Sequence, residues 1–257
     1  MRWIGYLPLW IWAQYQAPRL MGVGDLQAVL IGEILSANPA CALPVNRLVV
    51  QAASAFYLPA PELNMRLGGV AYRWDTLQGF SLLIQQWNFD KITQGEGGLT
   101  YALRLLQQRL TLAVRGRVLS TNFSEYGRLY RGTPDIGFTF QISSRFLIGG
   151  YGYNLLAQGW GFLPGSTQYG VGVAYIPSPS AQLLTEISQR EGAMPEIRTA
   201  FLYTPHPALA LRGGVGLPLL SVGGGASLSY KRIALDIGYR YHPAVGSWIS
   251  AGLSYAK

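Results

Sequence analysis

From Ile233 the chain alternates with a period of two. Ile233, Leu235, Ile237, Tyr239 and Tyr241 fall on one parity, and Ala234, Asp236, Gly238, Arg240 and His242 on the other. One face is apolar and aromatic; the other is small or charged. The same split recurs in Leu99, Tyr101, Leu103 and Leu105 against Ala102 and Arg104, and in Leu110, Leu112, Val114 and Val118 against Arg115 and Arg117. It returns in Ile136, Phe138, Phe140 and Ile142 against Asp135, Gly137, Thr139 and Gln141. Turn signals between such runs predict strands over 46–58, 64–74, 78–90, 98–107, 109–123, 134–143, 145–155, 167–177, 181–191, 196–205, 208–219, 221–231, 233–243 and 246–257. Fourteen strands over residues 46–257 leave about 15 residues for each strand with its turn, against the 9–11 that a tilted strand needs to cross a bilayer. At Gly68-Gly69 the alternation fails, and a bulge or a misplaced boundary is expected there.

Alternation does not say which face is wet, so a soluble β-barrel binding protein competes with a membrane barrel. Residues 146–185 contain no Asp, Glu, Lys or Arg, yet glycines and prolines interrupt them too often for a transmembrane helix. In a bilayer only a closed barrel satisfies every backbone group under that constraint. The apolar parity carries aromatics near predicted strand ends, at Tyr57, Trp74, Trp87, Phe123, Tyr175, Tyr203, Tyr241 and Trp248, as a membrane girdle requires. Charged residues are 12% of the chain, about half the share usual in soluble domains. The expected fold is all-β: a transmembrane antiparallel barrel of about fourteen strands. Met1-Arg2 followed by the uncharged run to Trp12 and by Ala13 predicts a signal peptide over 1–13.

Two groups of residues carry a family resemblance. Near the start stand Arg19-Leu20-Met21-Gly22-Val23-Gly24, Ala28-Val29-Leu30 and Ala37-Asn38-Pro39-Ala40. Near the end stand Leu209-Ala210-Leu211-Arg212-Gly213-Gly214, Gly223-Gly224-Gly225, Leu235-Asp236-Ile237-Gly238-Tyr239 and His242-Pro243-Ala244-Val245-Gly246. Together they resemble the PorV/PorQ-like barrels of the fatty-acid-transporter (FadL-like) superfamily. The chain departs from the usual pattern in being shorter and in ending Ala256-Lys257 rather than in an aromatic residue. The resemblance implies an outer-membrane barrel of a Gram-negative bacterium, with an N-terminal segment folded into the lumen as a plug. Here that segment is 14–45, with Asn38, Pro39 and Ala40 as its motif, ahead of a barrel over 46–257. The implied role is a non-enzymatic accessory in type IX protein secretion or surface attachment, with secretion-machine components or exported proteins as partners. The alternative is a FadL-like transporter of hydrophobic small molecules. A transporter needs an apolar path, and the inward parity reads as polar or small apart from Leu106, Leu119, Leu147 and Leu184, which favours the accessory role.

No catalytic constellation is visible, and neither cofactor nor metal is expected. His206 and His242 each precede a proline at a turn, and Gly223-Gly224-Gly225 lacks the lysine and helix of a phosphate loop; in a strand it allows a bend or close packing against the plug. The lone Cys41 excludes an intramolecular disulfide and a cysteine zinc site. The net charge of +8 comes without a recognisable nucleic-acid module, so lipid headgroups are the expected acidic neighbours of Arg128, Arg131 and Arg145. On the inward parity lie Arg104, Arg115, Arg117, Arg190, Arg198, Arg212 and Arg240 with Glu186 and Asp236. Charges in a narrow lumen must be compensated, so these are expected to pair with one another and with Asp25 and Glu33 of the plug. Arg212 and Arg240 are the expected partners of Glu186 and Asp236. An excess of arginine also admits an anion-attracting lumen or a dock for an acidic segment.

Overall fold

Fourteen strands run up and down in sequence order, and the first pairs with the last. The computed structural model describes residues 21, 23, 26–30, 33–89, 92–123, 127–156, 167–218, 220–243 and 246–257. The predicted signal peptide, Asp25 and most of the first N-terminal motif lie outside the described residues. The strands are β1 (Leu48–Tyr57), β2 (Asn64–Arg73), β3 (Gln78–Phe89), β4 (Ile92–Leu105), β5 (Leu110–Phe123), β6 (Gly127–Gln141) and β7 (Phe146–Tyr153). They continue with β8 (Gln168–Ser178), β9 (Ala181–Arg190), β10 (Glu196–His206), β11 (Leu209–Leu217), β12 (Ser221–Tyr230), β13 (Ile233–His242) and β14 (Gly246–Ala256). Every pairing is antiparallel, and β1 meets β14 from Val49↔Ala256 to Tyr57↔Trp248, so the sheet has no edge.

Two strands start earlier than the alternation predicts. β4 begins at Ile92 because Gly95, Gly97 and Gly98 hold ladder positions opposite β3 and β5 while contributing no side chain to the pattern. β6 begins at Gly127, and Pro134 sits within it opposite Gly116. The expected irregularity at Gly68-Gly69 is absent: β2 runs in unbroken register with both neighbours. Alternation fades there because the inward residues Met65, Leu67 and Ala71 are as apolar as the outward Val70. The register shifts fall instead at Tyr175/Ser178 and Tyr203/His206, near strand ends.

The barrel is dressed inside out. Ile84, Leu99 and Val171 are about 60% exposed in mid-strand, whereas Thr100, Arg115, Asp135 and Glu186 are almost wholly buried. Such an outer surface is stable only against hydrocarbon, so the molecule is an integral outer-membrane β-barrel and not a soluble one. At the end carrying Leu48 and Ala256, outward aromatics form a girdle in which Trp74 packs on Phe80 and Tyr101, and Phe146 stacks on Tyr175 at 4.9 Å. Four expected girdle members are placed otherwise. Phe123 shares the inward parity of Thr121 at the end of β5. Trp87 and Trp248 are buried in the lumen, and Tyr57 packs beside Trp248, with ring centroids 5.3 Å apart. Connections at the end bearing the strand termini are two to four residues long, whereas the opposite end holds the long connection between β7 and β8. Short turns face the periplasm in such barrels, which orients this one.

An arginine in the outer belt tests this dressing. Ile237→Arg, in mid-β13, is expected to cost about 2–4 kcal/mol in guanidinium unfolding from lipid vesicles. A change within about 0.5 kcal/mol, the usual effect of a surface substitution in water, would contradict a lipid-facing position.

Candidate functional site in the plugged lumen

The described part of the N-terminal segment fills the lumen. Leu26, Ala28, Ile34, Ala37 and Cys41 are fully or almost fully buried, although none of the described residues of the segment lies in a strand. Its anchor is Asn38. The side chain caps a short 3-10 helix (Pro39–Ala42) by accepting from the Ala40 amide at 3.0 Å, and Pro39 supplies the fixed φ of the first turn. Its amide nitrogen donates to the carbonyls of Ala28 at 2.7 Å and of Phe138 on β6 at 3.1 Å. One asparagine thus ties the segment to itself and to the barrel wall, which accounts physically for Asn38-Pro39-Ala40. The wall is hollowed to receive it: a Cβ on Gly137 would collide with the Asn38 side chain, and one on Gly149 with the Ala28 carbonyl.

The charged residues gather on one side of the lumen. On β9, Glu186 accepts from the amides of Gln27 at 2.6 Å and Ala28 at 2.7 Å, from the Tyr151 hydroxyl at 3.1 Å and from Arg198 at 3.4 Å. Arg198 also pairs with Glu196. Arg115 donates to Thr100 at 2.9 Å and to the Ser36 carbonyl of the plug at 2.8 Å. Arg117 forms a two-pronged pair with Asp135 at 2.6 and 2.9 Å, lies 3.0 Å from Glu96, and stacks over the Tyr153 ring at 3.8 Å. Farther round, Arg212 pairs with Asp236 at 3.0 Å, and Ser227 bridges the two.

This arrangement revises several expectations. Glu186 is held by Arg198 and the plug, not by Arg212 or Arg240. Arg240 is buried in the lumen on β13; Arg190 closes β9 near the opposite mouth; Arg104 stands at the periplasmic mouth, away from the network. Glu33 is buried, and its carboxylate accepts from the Leu35 amide at 3.3 Å. Arg131 faces inward, 8% exposed, so it does not meet lipid as expected. Its strand position decides this, since Arg131 shares parity with Thr133 and Asp135. His206 and His242 end strands that run in opposite directions, which sets them at opposite mouths. A Cβ on Gly224 would meet nothing, so close packing against the plug does not explain that glycine. Among the described residues no cluster of three or more His, Cys, Asp or Glu could hold a metal ion.

Asp135, Glu96, Tyr151, Tyr153, Gln27 and Ser36 belong to this site without having been singled out by sequence. The first two share parity with Arg115, Arg117 and Arg104 and were findable by extending the β4–β5–β6 register. Gln27 and Ser36 lie in a segment without periodicity and carry no such signal.

The other side of the lumen is richer in apolar groups, although Gln51, Ser81, Gln85 and Ser250 are buried among them. Met65, Leu67, Leu83, Trp87 and Trp248, from β2, β3 and β14, form one core cluster with Met21, Val23 and Leu26 of the plug. The lumen is therefore less polar than the inward parity predicts. Leu106, expected inside, is 63% exposed in the β4–β5 turn at φ 50°, while Leu147 and Leu184 are buried. A cavity of about 150 Å³ remains toward the periplasmic mouth, between Leu30 and Glu33 of the plug and Leu202 and Arg212 of the wall.

No protein-family model matches the chain, and no curated protein matches it. Among solved structures, the TodX monoaromatic hydrocarbon channel in its deltaS2S3 mutant form is similar with a TM-score of 0.70 at 8% identity, over 95% of this chain and 99% of that one. Its deltaS2 mutant gives 0.68 at 10% identity over the same shares. The Acinetobacter baumannii outer membrane protein Omp33 gives 0.59 at 8% identity, over 82% of this chain and 98% of that one. At these identities the likeness is one of fold.

Cys41 is a native reporter of plug seating. It is the chain's single cysteine, it is fully buried, and burial pushes its thiol well above the usual range, so it stays neutral and inaccessible to maleimide. Asn38→Ala removes the amide that donates to the carbonyls of Ala28 and Phe138 and the oxygen that caps the Ala40 N–H, at about 1–3 kcal/mol. Labelling of Cys41 in the folded barrel is expected to accelerate roughly tenfold or more, one factor of ten for each 1.4 kcal/mol lost. Glu186→Gln, which turns an amide group toward two backbone N–H donors, should act in the same direction; an unchanged rate in both variants would show that these bonds do not seat the plug.

Proposed function

We propose that this barrel is a channel for small hydrophobic molecules across the outer membrane, with the N-terminal segment as its gate. The observation that carries the reading is the apolar strip of Met65, Leu67, Leu83, Trp87 and Trp248 inside the lumen. A water-filled porin lines its interior with polar groups, whereas an apolar solute needs a continuous wall without desolvation cost. The strip faces the plug directly, so displacement of Met21, Val23 and Leu26 would expose the path, while the polar bonds to Glu186, Arg115 and Phe138 keep the segment tethered. The likeness in fold to a hydrocarbon channel supports the same reading.

The PorV/PorQ-like accessory role is the second reading. What favours it is the seating of the plug by directional bonds on several strands, which suits a barrel that presents a surface rather than a pore.

Uptake of a radiolabelled small aromatic hydrocarbon by cells making the protein separates these readings. Faster uptake than in cells without it is expected, and Leu83→Asp should reduce the gain about tenfold, equivalent to 1.4 kcal/mol on the path. Steady ion conductance in planar bilayers without hydrocarbon uptake would instead identify a porin. Absence of both, with recovery of a secretion-machine component on native isolation, would identify the accessory.

A further inference from the structure

The two ends of the barrel differ in charge. At the periplasmic end, Arg47, Arg109, Arg145, Lys231, Arg232 and Lys257 are all exposed on turns or strand termini. None of the six makes an ion pair among the described residues. Arg73 and Arg104 add two half-buried cations at the mouth. Asp75 is the one exposed acid described there, and its oxygens are turned to its own loop, accepting from the amides of Leu77 at 2.7 Å and Gln78 at 2.8 Å and from the Gln78 side chain at 3.0 Å. The opposite end is mixed, with Glu62, Glu191 and Glu196 beside Arg128 and Arg190.

Four of these cations are neighbours. Ladder bonds at the rim run from the Ala256 amide to Arg232 at 2.9 Å, from Lys257 to Leu48 at 2.8 Å and from Arg73 to Arg47 at 2.9 Å, so Lys231, Arg232, Lys257 and Arg47 stand on consecutive strands from β12 to β1. On their bilayer side lie aromatic rings. Tyr230 is 73% exposed beneath the Lys231 ammonium, 5.2 Å from its centroid, and the Arg47 guanidinium donates to the Tyr72 hydroxyl at 3.1 Å. Amphipathic rings below and unpaired cations above is the order in which a bilayer presents its glycerol region and its phosphates. The turn itself is built around charge: Lys231 has φ 54°, a left-handed conformation that asparagine or glycine adopts with less strain.

We propose that this rim, from the β12–β13 turn across β14 to the start of β1, binds headgroups of anionic phospholipid in the leaflet at the periplasmic end. The four neighbouring cations attract phosphate, the aromatic rings set their depth, and the absence of ion-pair partners among the described residues leaves them available. The site is independent of what crosses the lumen.

The test uses the full chain in nanodiscs containing equal amounts of phosphatidylcholine and phosphatidylglycerol, with retained lipids counted by native mass spectrometry. Each cation near an anionic surface favours it about fivefold. The wild type is expected to retain phosphatidylglycerol over phosphatidylcholine at a ratio several-fold above the bulk ratio. The variant Arg47→Gln/Lys231→Gln/Arg232→Gln/Lys257→Gln should fall to the bulk ratio, and Arg128→Gln, at the other end, should keep the enrichment. A bulk ratio in the wild type, or enrichment that survives the fourfold variant, overturns the proposal. Should that variant lose its heat-modifiable migration, wild-type protein in about 0.5 M salt decides: screening must abolish the enrichment, and salt-insensitive retention overturns the proposal.

Discussion

Hydrocarbon offers no partner to a peptide group, and that constraint organises everything else in this molecule. Each N–H and C=O within the bilayer must be bonded inside the protein, so the sheet has to close, and closure makes a lumen. Outward positions then have to be apolar, which frees the inward ones to be anything the contents of the lumen require. The low charge content and the apolar, aromatic parity of almost every strand follow from the first half of that statement; the buried arginines and carboxylates follow from the second.

The lumen has two unlike sides. The charged groups come from β4 to β6 and β9 to β13, whereas β2, β3 and β14 add Leu, Met and Trp, interspersed with buried Gln and Ser. The plug matches both, presenting backbone amides and carbonyls to the polar side and Met21, Val23 and Leu26 to the apolar one. Buried ion pairs such as Arg117 with Asp135 add little net stability, because desolvation cancels most of the attraction, yet breaking one leaves a stranded charge. Their effect is on register: a carboxylate such as Glu186 accepts two particular amides and no others.

Strand number, order and most boundaries were legible in the sequence because a period of two survives wherever the two faces differ in polarity. It fails where they do not. Met65, Leu67 and Ala71 make the inner face of β2 as oily as its outer face, and the same ambiguity assigned Trp87 and Trp248 to the membrane girdle. Glycine hides a strand by erasing its side chains, as at the start of β4. The charged half of the site was legible by parity, but its pairings were not, since Arg198 and Arg212 share a face and only the register distinguishes which carboxylate each meets. The plug was legible as a motif alone: its order is imposed by the wall, so Gln27 and Ser36 carry no local signal.

The carboxylate that fixes Ala28 lies 158 residues farther along the chain, on the ninth strand. The anchor for Asn38 is on the sixth, and the strand that follows the plug finds its second neighbour only when the fourteenth arrives. Among the described residues the plug makes no strand; its own bonds, such as Asn38 to Ala28 and Ala37 to Gln27, set a local shape, and the wall fixes its place. Assembly therefore inverts the order of synthesis. The part of the described chain made first is positioned among the last, and a barrel stalled before β9 would have neither a seated plug nor a closed seam.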